Sequence, residues 1–153
     1  MTPAITITDT PDAAIRSAIL RPLIRFNESR LGGPEDHRLL AIAVSNPLTG
    51  EIIGGLWSET LSGQLHVDLL FVPETLRRTG IGSRLMRDAE AEAIRRGCTG
   101  AWLDTYSFQA RGFYERLGYS VFGVIEDHPP GHSRFFMKRN FGAKIASPAS
   151  AAE

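Results

Sequence analysis

The sequence predicts an α/β fold with a mixed, mostly antiparallel sheet flanked by helices, and three observations carry that prediction. Short β-prone runs at 39–44 and 51–60 pair back across the turn Asn46-Pro47-Leu48-Thr49-Gly50. Residues 80–96 repeat Ile81, Leu85, Ala89 and Ala93 at helical spacing. Further strands follow on both sides of that helix, so hairpins and crossovers share one sheet. At 153 residues, 42% hydrophobic and 22% charged, the chain has the size and composition of one ordered domain.

The elements follow in order. Residues 5–8 alternate apolar and polar as a first strand. Thr10-Pro11-Asp12 supplies an N-cap, a proline at the first helical position and an acid for the dipole. Ile15, Ile19 and Leu23 continue as a helix that Pro22 should kink or interrupt near Arg21, and 26–36, with Gly32-Gly33-Pro34, reads as a loop. After the hairpin, Ser62-Gly63 opens a turn into a strand at 66–72. Alternation puts His66, Asp68, Leu70 and Val72 on one face and Val67, Leu69 and Phe71 on the other. The 80–96 helix ends with Arg95 and Arg96, and Gly97 suits its C′ position.

A strand at 101–105 and a helix at 109–117, with Ala110, Phe113, Tyr114 and Leu117 on one face and Gly118 as its stop, come next. Strands at 119–125 and 134–139 close the fold around the loop 126–132. The predicted order is β-α-β-β-β-α-β-α-β-β: one domain over 1–141, then an Ala/Ser-rich tail over 142–153.

Composition excludes several functions. Seventeen Lys+Arg balance seventeen Asp+Glu, so no global field recruits nucleic acid or an acidic membrane. The single cysteine, Cys98, rules out a disulfide framework and a Cys-rich zinc site, and it reads as a small buried residue. No apolar run is long enough to span a bilayer, and Met1-Thr2-Pro3-Ala4 lacks a basic or apolar leader, so a cytoplasmic location is expected. His128 and His132 are four apart, but Pro129-Pro130 forbids the helix that would make them a metal pair. That loop is expected to shape the mouth of a pocket, and no metal is expected.

Chemistry enters at Arg77-Arg78-Thr79-Gly80-Ile81-Gly82-Ser83, between a strand and the N-terminus of the best helix. Unpaired N–H groups, the helix dipole, two close-approach glycines and two arginines make this an anion cradle suited to a pyrophosphate. A P-loop would need a lysine that is absent. A dinucleotide fingerprint would need a small residue where Leu85 stands, although Asp104 would imitate its ribose-binding acid.

Two segments carry a family resemblance: Leu69-Leu70-Phe71-Val72-Pro73-Glu74 leading into Arg77-x-x-Gly80-x-Gly82, and Phe113-Tyr114-Glu115-Arg116-Leu117-Gly118-Tyr119. In these, and in element order over residues 3–141, the chain resembles the GCN5-related N-acetyltransferase (GNAT) superfamily. It departs in having Arg78 where glycine is common and Ser107 where asparagine is common.

The resemblance implies acetyl-CoA as acyl donor and central strands that splay apart. The pyrophosphate would lie on Arg78, Thr79, Gly80, Ile81, Gly82 and Ser83, with Arg77 and Ser107 nearby. The pantetheine would pair with Leu70, Phe71 and Val72 as an imitation strand, its thioester near the edge of Leu70. Tyr114 would be the general acid for the departing thiolate, and Asp68 or His66 would assist deprotonation of the amine. Glu28, Trp57 and Glu59 offer charge and aromatic surface to a cationic acceptor. The expected reaction is N-acetylation of a small-molecule amine. Acetylation of a protein lysine or N-terminus, or a non-catalytic CoA-binding role, are the alternatives, and a homodimer is a common form in the resembled family.

Overall fold

The computed structural model describes residues 3–142, so all but the first residue of the expected tail lies outside the described residues. Residues up to Glu35 form one unit and those from Asp36 a second. In the first, helix α1 spans Ala13–Leu31. Asp12, not Thr10, is its N-cap, its Oδ1 accepting from the Ile15 N–H at 2.9 Å. Gly32, at φ 80°, ends it with an N–H bond to the Glu28 carbonyl. Two expectations fail here. The helix is not interrupted at Pro22, because losing one N–H bond does not break a helix closed by good caps at both ends. Residues 5–8 form no strand, since alternation marks a strand only where a neighbouring strand accepts its ladder.

The second unit is a six-stranded mixed sheet in the order β1-β2-β3-β4-β6-β5. Its strands are β1 (Arg38–Ser45), β2 (Ile52–Leu61), β3 (Gln64–Phe71), β4 (Gly100–Tyr106), β5 (Ser120–Ile125) and β6 (Arg134–Asn140). Only β3 and β4 run parallel. The β2–β3 hairpin turns on Ser62 (φ 49°) and Gly63 (φ 79°), two left-handed residues whose twist matches the strands they join. Helix α2 (Ile81–Arg95) crosses from β3 to β4, and the short α3 (Arg111–Arg116) links β4 to β5.

The core lies between α2 and one face of the sheet. Leu85, Met86, Ala89 and Ala93 of α2 pack with Leu56, Leu65, Val67, Ala101, Leu103 and Met137, all buried. The predicted stripe is therefore the packed one, with Ile81 at its partly buried end. Glu90 is buried beside it, accepting from the Tyr119 hydroxyl at 2.9 Å and from Arg139 Nη1 at 2.5 Å. Pairing on both carboxylate oxygens is what makes a buried charge tolerable. Cys98 is buried too, and burial pushes its thiol up despite nearby Arg96, the opposite of an activated nucleophile. No helix of the described residues is long and apolar enough to cross a membrane.

Strand β3 corrects the predicted faces. Its register against β2 runs Ser58↔Val67 and then Trp57↔Leu69, so Asp68 is the extra residue of a β-bulge. The parity of the strand changes there. Leu65 and Val67 are buried on the α2 side, and beyond the bulge Leu70 and Val72 pack on that same core. His66 and Leu70 therefore do not share a face.

Candidate active site

The turn before α2 is built as an anion cradle. A 3-10 turn, Glu74–Leu76, follows β3, and Arg77 Nε donates to the Val72 carbonyl at 3.1 Å, fixing the turn to the strand end. The Thr79 hydroxyl donates to the Leu76 carbonyl at 2.6 Å. Arg78 (φ 62°) and Gly80 (φ 87°) are both left-handed, which folds the backbone into a concave nest. Among the described residues, none of the N–H groups of 78–83 meets an acceptor. A Cβ on Gly82 would stand 3.3 Å from the Phe113 ring and 3.7 Å from Val72, so only glycine leaves this wall open.

Beside the cradle the sheet forks. The parallel ladder between β3 and β4 runs from Gln64↔Gly100 to Val67↔Leu103 and stops. Beyond it β3 stays paired with β2, and β4 with β6. The facing backbone edges of 68–71 and 104–106 are thus left without a strand between them, as an extended ligand requires. Two connected clefts occupy this region. One, of about 410 Å³, is lined by Arg77, Arg78, Gly80, Gly82 and Ser83 with Phe113 and Tyr114. The other, of about 670 Å³, occupies the fork itself, between Asp68 and Leu70 on one side and Asp104 and Thr105 on the other. Leu70, Val72, Arg77, Ala110 and Tyr114 line both.

Tyr114 joins the two clefts chemically. The residue is 7% exposed, yet among the described residues its hydroxyl has no hydrogen-bond partner, and it is not sealed from the clefts. Burial, and after it the Asp104 charge, push its phenol up to about 12. The helix that carries it is tied to β4 by Gln109, whose Oε1 accepts from the Tyr106 N–H at 2.8 Å and the Thr105 hydroxyl at 3.2 Å.

The expected site residues separate into two groups. Tyr114, Asp68, Leu70, Phe71, Val72, Arg77, Arg78, Gly80, Gly82 and Ser83 line the clefts, with Thr79 and Ile81 in the same turn. His66 lines neither, being stacked on Trp102 with ring centroids 3.8 Å apart. Glu59 accepts from His37 at 2.7 Å and lies 3.7 Å from His66. The hydrogen bond with His37 is the main reason its carboxyl is held below the usual range. Trp57 faces Leu69 across the β2–β3 ladder, and Glu28 belongs to α1.

Ser107 ties two loops together, its N–H donating to the Ser133 carbonyl at 2.8 Å and its hydroxyl accepting from the Ser133 N–H at 3.1 Å. The 126–132 loop thereby meets the cleft residue Phe108, against which His132 packs edge-on. Asp104, which would imitate a ribose-binding acid only in a dinucleotide site, accepts from Arg134 Nε at 2.7 Å and lines the fork. Phe113, Gln109 and Arg116 were also missed. They lie in or beside a helical stripe that reads equally well as core, and only the end of the ladder exposes them to a cleft.

A family model described as Acetyltransferase (GNAT) family matches residues 10–119. The chain belongs to that family. Among GNAT relatives it is 38% identical over 135 residues to Acetyltransferase Atu2258 of Agrobacterium fabrum (strain C58), covering 88% of this chain and 97% of the other. It is 48% identical over 83 residues to the blasticidin-S acetyltransferase of Streptomyces morookaense, covering 54% of this chain and 61% of that one. A crystal structure from Agrobacterium tumefaciens superimposes with a TM-score of 0.84 at 38% identity, over 90% of this chain and 99% of that one. The mixed, mostly antiparallel GNAT sheet expected from the sequence is the one found.

Proposed function

We propose that this GNAT acetyltransferase transfers an acetyl group from acetyl-CoA directly to a primary amine of a small molecule. The observation that carries the reading is the junction at Tyr114, where an anion cradle and a forked sheet open onto one unpartnered phenol. The cradle fits the group on its own evidence: free N–H groups over 78–83, a wall that a Cβ would fill, and two arginines. Backbone amides of 78–83 would hold the pyrophosphate, and the edges of Leu70 and Val72 the pantetheine. Acetyl-CoA supplies, when bound, an acetyl group activated on sulfur that a nitrogen nucleophile displaces with release of the thiol.

The protein's own groups manage the protons. An alkylammonium titrates near about 10.4, so the acceptor arrives charged and must lose a proton before it can attack. Asp68, in the fork, is the residue to hold that ammonium and pass its proton to water; His66, stacked outside the clefts, is the less suited of the two expected residues. Tyr114 holds a proton at its hydroxyl for the leaving sulfur, and the phenolate recovers one from the acylated nitrogen. Blasticidin S enters the reading only through a relative named for it, and that match supports a small-molecule acceptor over a protein one.

The test is thiol release from acetyl-CoA across polyamines, amino acids, aminoglycosides, blasticidin S and lysine peptides. Turnover with one small-molecule class is expected. Turnover with peptides alone would overturn the small-molecule reading, and no thermal shift with acetyl-CoA would overturn the cofactor.

A further inference from the structure

Two aspartates follow the last paired residues where the sheet forks. The parallel ladder ends at Val67↔Leu103, so Asp68 and Asp104 are the residues that would form the next pair. Both line the opening. Asp104 alternates with buried Leu103 and Thr105, which sets it on the sheet face away from α2, and the bulge residue Asp68 is exposed between the core-packed Val67 and Leu70. Like charges directly opposed on neighbouring strands disfavour pairing, so this rung opposes closure of the fork, and a cation between the two carboxylates would relieve it.

Asp104 is held at the edge of the opening by an ion pair. Its side chain keeps 21% exposure while Arg134 Nε binds one of its oxygens at 2.7 Å. Arg134 is itself steadied over the rings of Tyr106 and Phe136, with Cζ 5.4 Å and 5.5 Å from their centroids. The second Asp104 oxygen makes no hydrogen bond among the described residues. Independently, Tyr114 enters the same opening, more than nine-tenths buried and without a partner for its hydroxyl.

We propose that Asp104, positioned by Arg134, completes with Asp68 a carboxylate pair that receives the acceptor as its ammonium at the apex of the fork. Accepted substrates are therefore amines that bind as cations, entering from the sheet face away from α2. Arg134 offsets the charge of Asp104, whereas Asp68 makes no ion pair among the described residues, which leaves one carboxylate charge in the opening for a cation. This inference rests on the acetyltransferase reading above.

The probe is n-butylammonium, titrated calorimetrically onto the full chain loaded with CoA, with n-butanol as the uncharged comparison. Binding of the ammonium and not the alcohol is expected, weakened about tenfold by Asp68→Asn and by Asp104→Asn. Arg134→Met should weaken it as well, and Arg134→Lys should restore part of the loss. Asparagine keeps an acceptor for Arg134, and an unchanged CoA thermal shift in each variant checks that the cradle is intact. Failure of CoA to shift the wild-type melting temperature would strike at the acetyltransferase reading. Normal CoA binding with equal affinity for alcohol and ammonium, with no ammonium binding, or with no effect of Asp104→Asn, would overturn the carboxylate pair.

Discussion

Tyr114 and Tyr119 are buried phenols five residues apart with different work. Tyr119 donates to Glu90, and burial together with that carboxylate's charge raises its phenol far above the usual range. Its proton is committed. Tyr114 has no acceptor, and its phenol, at about 12, stays protonated wherever the enzyme is expected to operate. In the proposed reaction, the burial that weakens Tyr114 as an acid would also raise the basicity of a thiolate leaving in the same cleft, which would keep donor and acceptor matched. Tyr114→Phe should therefore lower kcat by about 10²–10⁴-fold while the acetyl-CoA thermal shift survives. Undiminished thiol release from the variant would remove Tyr114 from its role. Because both causes favour the protonated phenol, the kcat/KM profile should rise through the amine titration with no alkaline fall from Tyr114 below roughly pH 10.

Helix α2 combines a core stripe with an N-terminus that opens on a cleft, and Gly82 is where the two meet. Gly82→Val would direct methyl groups at the Phe113 ring, which already stands 3.3 Å from an ideal Cβ. The expected result is a lower melting temperature and acetyl-CoA affinity reduced by about tenfold or more, read by calorimetry. Retained affinity would mean that the pyrophosphate does not use this wall. The α2 stripe and the glycines of the turn were legible because both are local signals, a 3.6-residue period and a residue type that allows left-handed backbone at Gly80 and close approach at Gly82. The β3 bulge was not legible. A strand read alone keeps strict alternation, and only the β2 register shows that Asp68 is extra and that Leu70 turns to the core.

Alkaline stability tests the sheet, α2 and α3 together, because both raised phenols lie at their junction. In the unfolded chain tyrosines titrate near about 10, whereas both folded phenols resist ionisation beyond that. A raised folded pKa gives stability that is complete below the unfolded value and is lost as pH rises toward the folded one. Each phenol should then cost about 1 kcal/mol of stability between pH 8 and roughly pH 11. Urea midpoints should fall over that range, and Tyr119→Phe should flatten part of the slope. A midpoint that does not move with pH would contradict the burial assigned to both rings.

By itself the sequence determined the element types from β1 onward, the hairpins, the cradle and the helix carrying Tyr114. Each is written in a few consecutive residues through periodicity, turn chemistry and glycine placement. The tertiary structure decided where the β3–β4 ladder ends, and so put Asp68 and Asp104, thirty-six positions apart, just beyond its last pair and in the lining of one opening. It also decided that Glu90, Tyr119 and Arg139 satisfy one another in the core, and that His66 stacks on Trp102 away from the clefts. A strand's sequence specifies what its faces can bury, but which partner it keeps, and for how many residues, is set by the competition among all the strands and helices packed against it.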